Sequence, residues 1–206
     1  MSNQWFRLVR SDYNSVMNSS DLIAQLTQRL EGHQPRVIQQ PDLAEAGVLV
    51  AITEESQPQL ILTRRATHLS THQGEVAFPG GKRDPEDDDI VFTALREAQE
   101  EIALPPDCVR VIGQLDQVVS RFGYLVTPVL ATIHANVELV ANQDELDAVF
   151  RVPLTFFLNE PSGYFERGQV KIPSFDFEEF HIWGLTAMMI AEMMNNLWDA
   201  DIGFSV

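Results

Sequence analysis

The 206-residue chain has little cysteine, few basic residues and no long apolar run. Its one cysteine, Cys108, excludes an intramolecular disulfide and fits a reducing compartment such as the cytoplasm. Only 14 lysines and arginines accompany 30 acidic residues, and the net charge of -16 argues against nucleic acid or an anionic membrane as a partner. No stretch reaches the roughly 18 apolar residues of a membrane span, and residues 1–10 lack the apolar core of a signal peptide. We therefore expect a cytoplasmic protein whose partner is neither nucleic acid nor a membrane.

One acidic segment has the apolar spacing of a helix. Glu97, Glu100 and Glu101 stand at positions i, i+3 and i+4, so a helix places the three carboxylates on one face. Like charges at these spacings repel one another, and such a face therefore indicates a bound cation. Carboxylate oxygens suit hard cations such as Mg²⁺ or Mn²⁺, which also bind substrate phosphates. The alternative is a solvated acidic face without a metal.

The rest of this helix supports its assignment. The acidic run 87–89 lies where a helix N-terminus prefers negative charge and a capping oxygen. Arg96 precedes Glu100 by one turn and can orient a carboxylate. We expect Glu101 to face solvent. The apolar stripe that docks the helix on the core consists of Val91, Ala94, Leu95, Ala98 and Ile102.

This segment resembles the signature of the Nudix hydrolases. In that pattern Gly81 is the first glycine, Arg96 and Glu97 form the Arg-Glu pair, and Glu100 and Glu101 form the Glu-Glu pair. The resemblance implies a metal site made by Glu97, Glu100 and Glu101, with Mg²⁺ or Mn²⁺ as cofactor. It also implies catalytic roles for Glu97, Glu100 and Arg96.

The segment departs from the signature at two places. One extra residue separates the first glycine from the Arg-Glu pair, so Glu86, Asp87 and Asp88 remain candidates for the early acidic position. Ala103 stands where the signature has its closing glycine, which is a mild change if the backbone there stays helical.

Upstream, the chain is similar to the motif of the coenzyme A pyrophosphatase subgroup. An alanine, Ala66, replaces the usual serine of that motif, and Ser70 replaces the usual arginine. The likeness continues through residues 123–129 and 183–187, and it extends over residues 45 to 195. The positions that match in register are Thr63, Arg65, Gly74, Phe78, Pro79, Gly80 and Gly81.

The resemblance implies an α/β fold, a Nudix-type α/β/α sandwich with a mixed β-sheet, over residues 45–206. Residues 1–44 would form an N-terminal helical extension packed on that domain. The implied reaction is metal-dependent hydrolysis of the diphosphate of coenzyme A or a derivative, giving 3′,5′-adenosine bisphosphate and 4′-phosphopantetheine. Alternatives are another nucleoside diphosphate derivative, such as ADP-ribose or a dinucleotide, and a catalytically silent nucleotide sensor. The implied partner is a small nucleotide, and the sequence is compatible with a homodimer.

The same resemblance suggests which residues contact the substrate. Arg65 is expected to read the 3′-phosphate of coenzyme A, because an arginine can bind phosphate through two N–H groups. Glu145, or its neighbour Asp144, is a candidate for the loop carboxylate that activates water, and a solvated acidic loop is the alternative. His68 and His72 lack further zinc ligands nearby in sequence, so a substrate-side or structural role is favoured. The proposed substrate-binding set is Arg65, Gly80, Gly81, Lys82 and His72.

Elsewhere the chain alternates between predicted helices and strands. A capped helix begins at residues 19–21, and a buried C-terminal helix over 186–198 carries four methionines, as core filler or as a dimer surface. Residues 144–150 are expected to form a loop that leads into a strand, and residues 165–172 with 177–182 to form a hairpin. Further strands are expected at 46–52, 60–64, 75–78, 109–114, 116–120 and 125–134.

Overall fold

The computed structural model describes residues 19–40, 42–69 and 72–205. The N-terminal segment examined for a signal peptide, and Ser70, lie outside these residues. The helices are α1 (Ser19–Glu31), α2 (Ile90–Ile102) and α3 (Gly184–Trp198), with short 3-10 turns at Pro106–Cys108 and Leu154–Leu158. The strands are β1 (Ala44–Glu54), β2 (Gln59–Arg65), β3 (Val76–Ala77), β4 (Gly80–Lys82), β5 (Val109–Gln114), β6 (Val118–Val119), β7 (Tyr124–His134), β8 (Leu146–Pro153), β9 (Gly163–Arg167), β10 (Val170–Phe177) and β11 (Phe180–Ile182).

One mixed sheet forms the centre of the fold. Within the described ranges its main path runs β3-β2-β1-β7-β5, with β4 beside β1, β6 beside β7 and β8 beside β2. The strands β1 and β7 run parallel along their whole length, whereas β2, β4 and β5 join their neighbours antiparallel. A smaller antiparallel sheet contains β9, β10 and β11. The predicted mixed sheet is confirmed.

Helices cover both faces of the central sheet. Leu49 and Ala51 of β1 share an apolar cluster with Ala98 of α2. The alternate positions Val50 and Ile52 belong to the cluster on the opposite face, together with residues of α1 and α3. Because β1 is covered on both faces, it reads as a continuous apolar run rather than as an alternating one. The predicted α/β/α sandwich is therefore confirmed.

The methionines of α3 belong to this core. Their exposed fractions lie between 0% and 7%, so they fill the interior rather than form a dimer surface. The unbranched methionine side chain suits such irregular interior space. The four residues are Met188, Met189, Met193 and Met194.

Three of the expected strand assignments are wrong in part. The residues expected to form a loop after position 144 belong mostly to β8, because Leu146 is buried and β8 pairs along β2. The expected hairpin is replaced by three antiparallel strands. One turn lies between β9 and β10, where Gly168 has a φ of 65° that suits glycine, and a second turn lies between β10 and β11. The strand expected at 116–120 shortens to β6.

Candidate active site

Helix α2 is held close to the sheet by its cap and by a glycine of β1. The carboxylate of Asp89 accepts a hydrogen bond of 2.7 Å from the backbone N–H of Phe92, which is a standard N-cap. A Cβ atom at Gly47 would lie 2.7 Å from the carbonyl oxygen of Ile90. The glycine therefore lets β1 approach the first turn of α2 more closely than any other residue would.

The glycine turn, Gly80 and Gly81 at the start of β4, lies against the acidic face of α2. Gly80 has a φ of 156°, and a Cβ there would collide with the backbone of Gly47 and Val48. The Gly80 N–H donates to Glu101 Oε2 at 3.0 Å. A Cβ at Gly81 would overlap the carboxylate of Glu97. Both glycines are needed because the turn and the glutamates occupy adjoining space.

Arg96 connects the acids before α2 with those on it. Its Nε donates to Asp87 Oδ1 at 3.0 Å and its Nη2 donates to Oδ2 at 3.1 Å. Its Nη1 lies 2.9 Å from Glu97 Oε1 and 3.1 Å from Glu100 Oε2. The expectation that Arg96 orients a carboxylate is met, and its contacts extend to four of them, because its Nη2 also lies 3.8 Å from Asp84 Oδ2. Such a bidentate guanidinium contact fixes the positions of both partners.

Asp87 is the buried acid among the candidates for the early position. It is 4% exposed, whereas Glu86 and Asp88 are exposed. The Thr93 hydroxyl and the backbone N–H of Asp84 also donate to its carboxylate, at 2.9 Å and 3.0 Å. Hydrogen bonding from the Arg96 guanidinium holds the pKa of Asp87 well below its usual range. Asp87 therefore anchors Arg96, and the helix cap is Asp89.

Glu101 is buried, with 6% of its surface exposed, so the expectation that it faces solvent is wrong. It lies three residues after Ala98 and seven after Ala94, which places it at the edge of the apolar stripe. Burial raises its pKa to about 7, and the charges of Glu97 and Glu145 act in the same direction. The Gly80 N–H and the charge of Arg65 oppose this rise.

The pKa of Glu97 is also raised. Burial raises its pKa, Arg96 counteracts the rise, and the charges of Glu100 and Glu145 add to it. Glu97, Glu101 and Glu145 thus lie close enough to disfavour one another's ionised forms. The structure brings Glu145 to the glutamate face of α2, whereas Asp144 is exposed.

Arg65 lies on the same side of the sheet as α2. Ile61, four residues before Arg65 along β2, belongs to the apolar cluster under α2. Because side chains alternate along a strand, Arg65 lies on that same face. The Nε atom of Arg65 is buried and has no hydrogen-bond partner among the described residues. Arg64 points the other way, and its guanidinium lies 5.1 Å from the ring centre of Phe180. The two arginines therefore lie on opposite faces of the sheet.

The other basic residues near the site differ in their exposure and in their partners. Lys82 is exposed beside the glycine turn, and its carbonyl accepts from Arg96 at 3.2 Å. Arg83 is bound to Glu45 at 2.7 Å and to two backbone carbonyls before α2, so it is held as a structural cation. His68 is exposed, and the Nδ1 of His72 lies 2.6 Å from Glu75 Oε2.

Sequence reasoning did not identify Arg121 and Phe122, which lie in the turn between β6 and β7. The guanidinium of Arg121 lies 4.5 Å from the ring centre of Phe122, and His72 packs edge-on against that ring at 4.4 Å. Arg121 also reaches Glu75 at 3.5 Å. The sequence signal was weak: an arginine and an aromatic residue just before the glycine that begins a matched segment.

The closing position of the signature also differs from expectation. Ala103 has φ 54° and ψ 28°, so the backbone leaves the helix in the left-handed conformation. Glycine adopts this conformation without steric cost, and alanine does not. The replacement is therefore more than a mild change.

The acidic face has the donor chemistry of a hard-cation site. Its side-chain donors are carboxylate oxygens, and Gly81 leaves room for the carboxylate of Glu97. In residues 19–40, 42–69 and 72–205, no group of three or more His, Cys, Asp or Glu side chains is arranged so that it could hold a metal ion. Two of the three expected ligands, Glu97 and Glu100, contact Arg96, and Glu101 contacts the glycine turn. These residues fit Mg²⁺ or Mn²⁺ by the chemistry of their donor atoms.

Comparison with known proteins identifies the family. The NUDIX domain model matches residues 44–171. An uncharacterized Nudix hydrolase, NudL, of Escherichia coli O7:K1 is 42% identical over 154 residues, covering 72% of this chain and 80% of the relative. NudL of Shigella flexneri serotype 5b is 40% identical over 166 residues, covering 78% and 86%. The chain therefore belongs to the Nudix hydrolase family.

A solved structure supports the fold independently. A MutT/nudix family protein from Enterococcus faecalis superposes with a TM-score of 0.51 at 16% identity, covering 85% of this chain and 69% of that one. At this identity the likeness shows the fold alone. Among the described residues no helix is long and apolar enough to cross a membrane.

Proposed function

We propose that this Nudix hydrolase cleaves the diphosphate bond of coenzyme A or a derivative, giving 3′,5′-adenosine bisphosphate and 4′-phosphopantetheine or its acyl form. The observation that carries the proposal is that Arg65, from the coenzyme A pyrophosphatase motif, lies on the glutamate side of the sheet. Its charge acts on Glu101, at the acidic face of α2. A cation at this place suits an anionic substrate bound against the acidic face.

Glu97, Glu100 and Glu101 would hold Mg²⁺ or Mn²⁺. When bound, such a cation neutralises diphosphate charge and lowers the pKa of a coordinated water. Arg96 would keep Glu97 and Glu100 in place, because it contacts both carboxylates and is itself anchored by Asp87. Burial raises the pKa values of Glu97 and Glu101, and the neighbouring carboxylates add to the rise. These shifts support the role, since a nearby cation favours the ionised form of a carboxylate.

In the proposed reaction the oxygen of a water forms a bond to one phosphorus of the diphosphate. The bond from that phosphorus to the bridging oxygen breaks, and the leaving phosphate keeps the electron pair. The water proton passes to a carboxylate, for which Glu145 and Glu97 are the candidates near the acidic face. Arg65 would stabilise the charge that develops on the phosphate oxygens.

The remaining binding residues surround this point. The backbone of Gly80 and Gly81 would shape the floor of the site, since neither position tolerates a side chain. Lys82 is exposed beside them and available to a phosphate, and His72 lies at the margin of the site, paired with Glu75. We place the enzyme in the cytoplasm, on the strength of its single cysteine.

Two alternatives remain to be tested. Another nucleoside diphosphate derivative, such as ADP-ribose or a dinucleotide, would use the same reaction. A silent sensor would bind nucleotide without turnover. The intact set of Arg96, Glu97, Glu100 and Glu101 favours an enzyme over the sensor.

The test is a substrate panel of coenzyme A, ADP-ribose, NADH and diadenosine polyphosphates, each with Mg²⁺ and with Mn²⁺. We expect the largest kcat/KM with coenzyme A and release of 3′,5′-adenosine bisphosphate, identified by chromatography. Glu97→Gln purified in parallel controls for contaminating hydrolases and should be nearly inactive. Faster turnover of another substrate would replace the coenzyme A assignment, and no turnover of any of them would favour the sensor.

A further inference from the structure

The turn between β6 and β7 presents a cation on an aromatic ring beside the proposed site. Phe122 is 52% exposed, and the side chain of Arg121 is 65% exposed. The guanidinium lies 4.5 Å from the Phe122 ring centre, which is within the range of a cation–π contact. His72 braces the same ring edge-on, at 4.4 Å. The Phe122 ring thus restricts the Arg121 side chain, although this side chain lies at the surface.

This pair is connected to Arg65 through one cross-strand neighbour. The backbone N–H of Arg65 donates to the carbonyl of Glu75 at 3.0 Å, and the next pair along is Arg64 with Val76. Glu75 immediately precedes β3, and alternation from the pair of Arg64 with Val76 puts Glu75 on the same face of the sheet as Arg65. Arg121 contacts the carboxylate of Glu75. The order across this face is therefore Glu101, Arg65, Glu75 and Arg121.

The contact of Arg121 with Glu75 leaves it available to a ligand. The distance is 3.5 Å, whereas His72 approaches the other oxygen of Glu75 at 2.6 Å. The carboxylate is thus held chiefly by His72. A phosphate monoester carries more charge than a carboxylate and accepts two guanidinium N–H groups at once, so it can replace Glu75 as the partner of Arg121.

The other cations near the motif are less suited to bind this phosphate. Arg83 is bound to Glu45 and to backbone carbonyls, and Arg64 lies on the opposite face of the sheet. Arg65 is adjacent to Glu101, where the scissile diphosphate would bind. A phosphate further along the substrate would reach beyond Arg65, toward the turn between β6 and β7.

We propose that Arg121, held by Phe122, binds a phosphate monoester of the substrate that is separate from the scissile diphosphate. The proposal rests on the proposed function and deepens it, and for coenzyme A this group is the 3′-phosphate. It moves that role from Arg65, which instead serves the diphosphate. Arg121 thereby determines specificity, and it takes no part in bond cleavage.

The test compares ligands that differ by this phosphate alone. The kinetic pair is coenzyme A and dephospho-coenzyme A, and the binding pair is 3′,5′-adenosine bisphosphate and 5′-AMP, measured by calorimetry on the full chain. Arg121→Ala should lower the coenzyme A to dephospho-coenzyme A ratio of kcat/KM by about tenfold. The affinity ratio of the binding pair should fall by a similar factor.

Two further variants distinguish recognition from surface electrostatics. Lys171→Ala is the matched control, because Lys171 also lies over an aromatic ring, that of Tyr164 at 4.1 Å, and 3.5 Å from Glu166, on the second sheet. It should leave both ratios unchanged. Glu75→Gln removes the competing carboxylate and should raise the ratios about twofold to threefold, opposite in sign to Arg121→Ala.

The outcomes separate this proposal from the proposed function. If the parent hydrolyses coenzyme A but Arg121→Ala affects both members of each pair equally, the subsite is wrong and the function stands. If the parent turns over no coenzyme A, the proposed function fails, and the binding pair still decides the role of Arg121. Equal affinity of the parent for 3′,5′-adenosine bisphosphate and 5′-AMP would overturn the subsite in either case.

Discussion

The two ends of helix α2 each have a buried carboxylate, but the charges of the two are balanced differently. Asp87, just before the helix, is 4% exposed, and Glu101, in its last turn, is 6% exposed. The guanidinium of Arg96 holds the pKa of Asp87 well below its usual range. Burial raises the pKa of Glu101 to about 7. Equal burial therefore accompanies opposite pKa shifts.

The difference lies in the partners. Asp87 accepts two N–H groups of Arg96, together with the Thr93 hydroxyl and a backbone N–H. Glu101 accepts the N–H of Gly80 and has other carboxylates nearby. Charge is thus balanced within the chain at the N-terminal end of α2. At the C-terminal end the negative charge is incompletely balanced, which is the condition under which an external cation binds well.

The N-terminal end can be broken by Asp87→Asn. We expect a loss of about 2–3 kcal/mol in the free energy of unfolding, because the substitution leaves Arg96 without its full-charge partner. Urea denaturation measures this loss. The matched control is Asp89→Asn, which should change stability little, since asparagine caps a helix about as well as aspartate. Equal stability of the two variants would mean that Asp87 acts merely as a second cap.

The same ion pair predicts a pH dependence. The pKa of Asp87 is lowered in the folded state from an ordinary 3.8, so the folded state favours the ionised form. Its contribution is complete above the unfolded pKa and is lost as the pH falls through the lower folded pKa. The stability difference between the parent and Asp87→Asn should stay constant from about pH 7 to 5 and shrink below about pH 4. A difference that shrinks between pH 7 and 5 would exclude this assignment.

The C-terminal end can be broken by Glu101→Gln. Glutamine keeps an acceptor for the Gly80 N–H and removes a buried charge, so stability should be unchanged or higher. Turnover should fall by about a hundredfold. Loss of a residue that only supports a metal ligand costs about tenfold to a hundredfold, and loss of a ligand should cost at least as much. Opposite effects on stability and activity would distinguish a cation site from a structural carboxylate.

Glu192→Gln provides the control for this variant. Burial raises the pKa of Glu192 too, but this residue lies on α3 and pairs with Arg36 at 2.9 Å. Its replacement should leave kcat/KM unchanged. If Glu101→Gln bound Mn²⁺ and turned over substrate like the parent, the proposed metal ligands would be incorrect.

Arg65 supplies positive charge near the C-terminal end of α2, where the negative charge is incompletely balanced. Arg65→Ala should lower kcat/KM by about tenfold to a hundredfold, as expected for loss of a charge-assisted phosphate contact. The loss should be similar for coenzyme A and dephospho-coenzyme A, because the two share the diphosphate. Arg64→Ala is the control on the opposite face of β2. A loss confined to coenzyme A would mean that Arg65, and not Arg121, recognises the 3′-phosphate.

The sequence predicted the parts of the molecule that follow local rules. Helix α2 has a complete apolar stripe, an acidic N-terminus and prolines after it, and β1 and β2 have strong β-formers. The burial of Glu101 was also readable, because its spacing from Ala94 and Ala98 places it on that stripe. Its charge, shared with Glu97 and Glu100, instead predicted that it faces solvent.

Other features depend on contacts between distant segments and were not readable. The pairing of β8 with β2 forms a strand from a stretch with an acidic start. The turn at Gly168 interrupts a run of β-formers, and only the register of β9 on β10 locates it. Arg121 and Phe122 belong to no local pattern, since their meaning comes from His72 and Glu75 nearly fifty residues earlier.

Ala103 tests whether the C-terminal end of α2 differs from the N-terminal end in charge alone or also in backbone strain. Its left-handed φ of 54° costs an alanine about 1–2 kcal/mol. Glycine relieves that cost but loses more conformational entropy on folding, about 0.4–1 kcal/mol. Ala103→Gly should therefore stabilise the protein by about 0.5–1 kcal/mol in urea denaturation, with kcat/KM unchanged. Ala98→Gly, inside the same helix and fully buried, should instead destabilise by about 2 kcal/mol, from the lower helix propensity of glycine and the loss of a buried methyl group. A change in turnover with Ala103→Gly would show that the strained turn helps to position Glu101, and the contrast between the two ends would then be geometric as well as electrostatic.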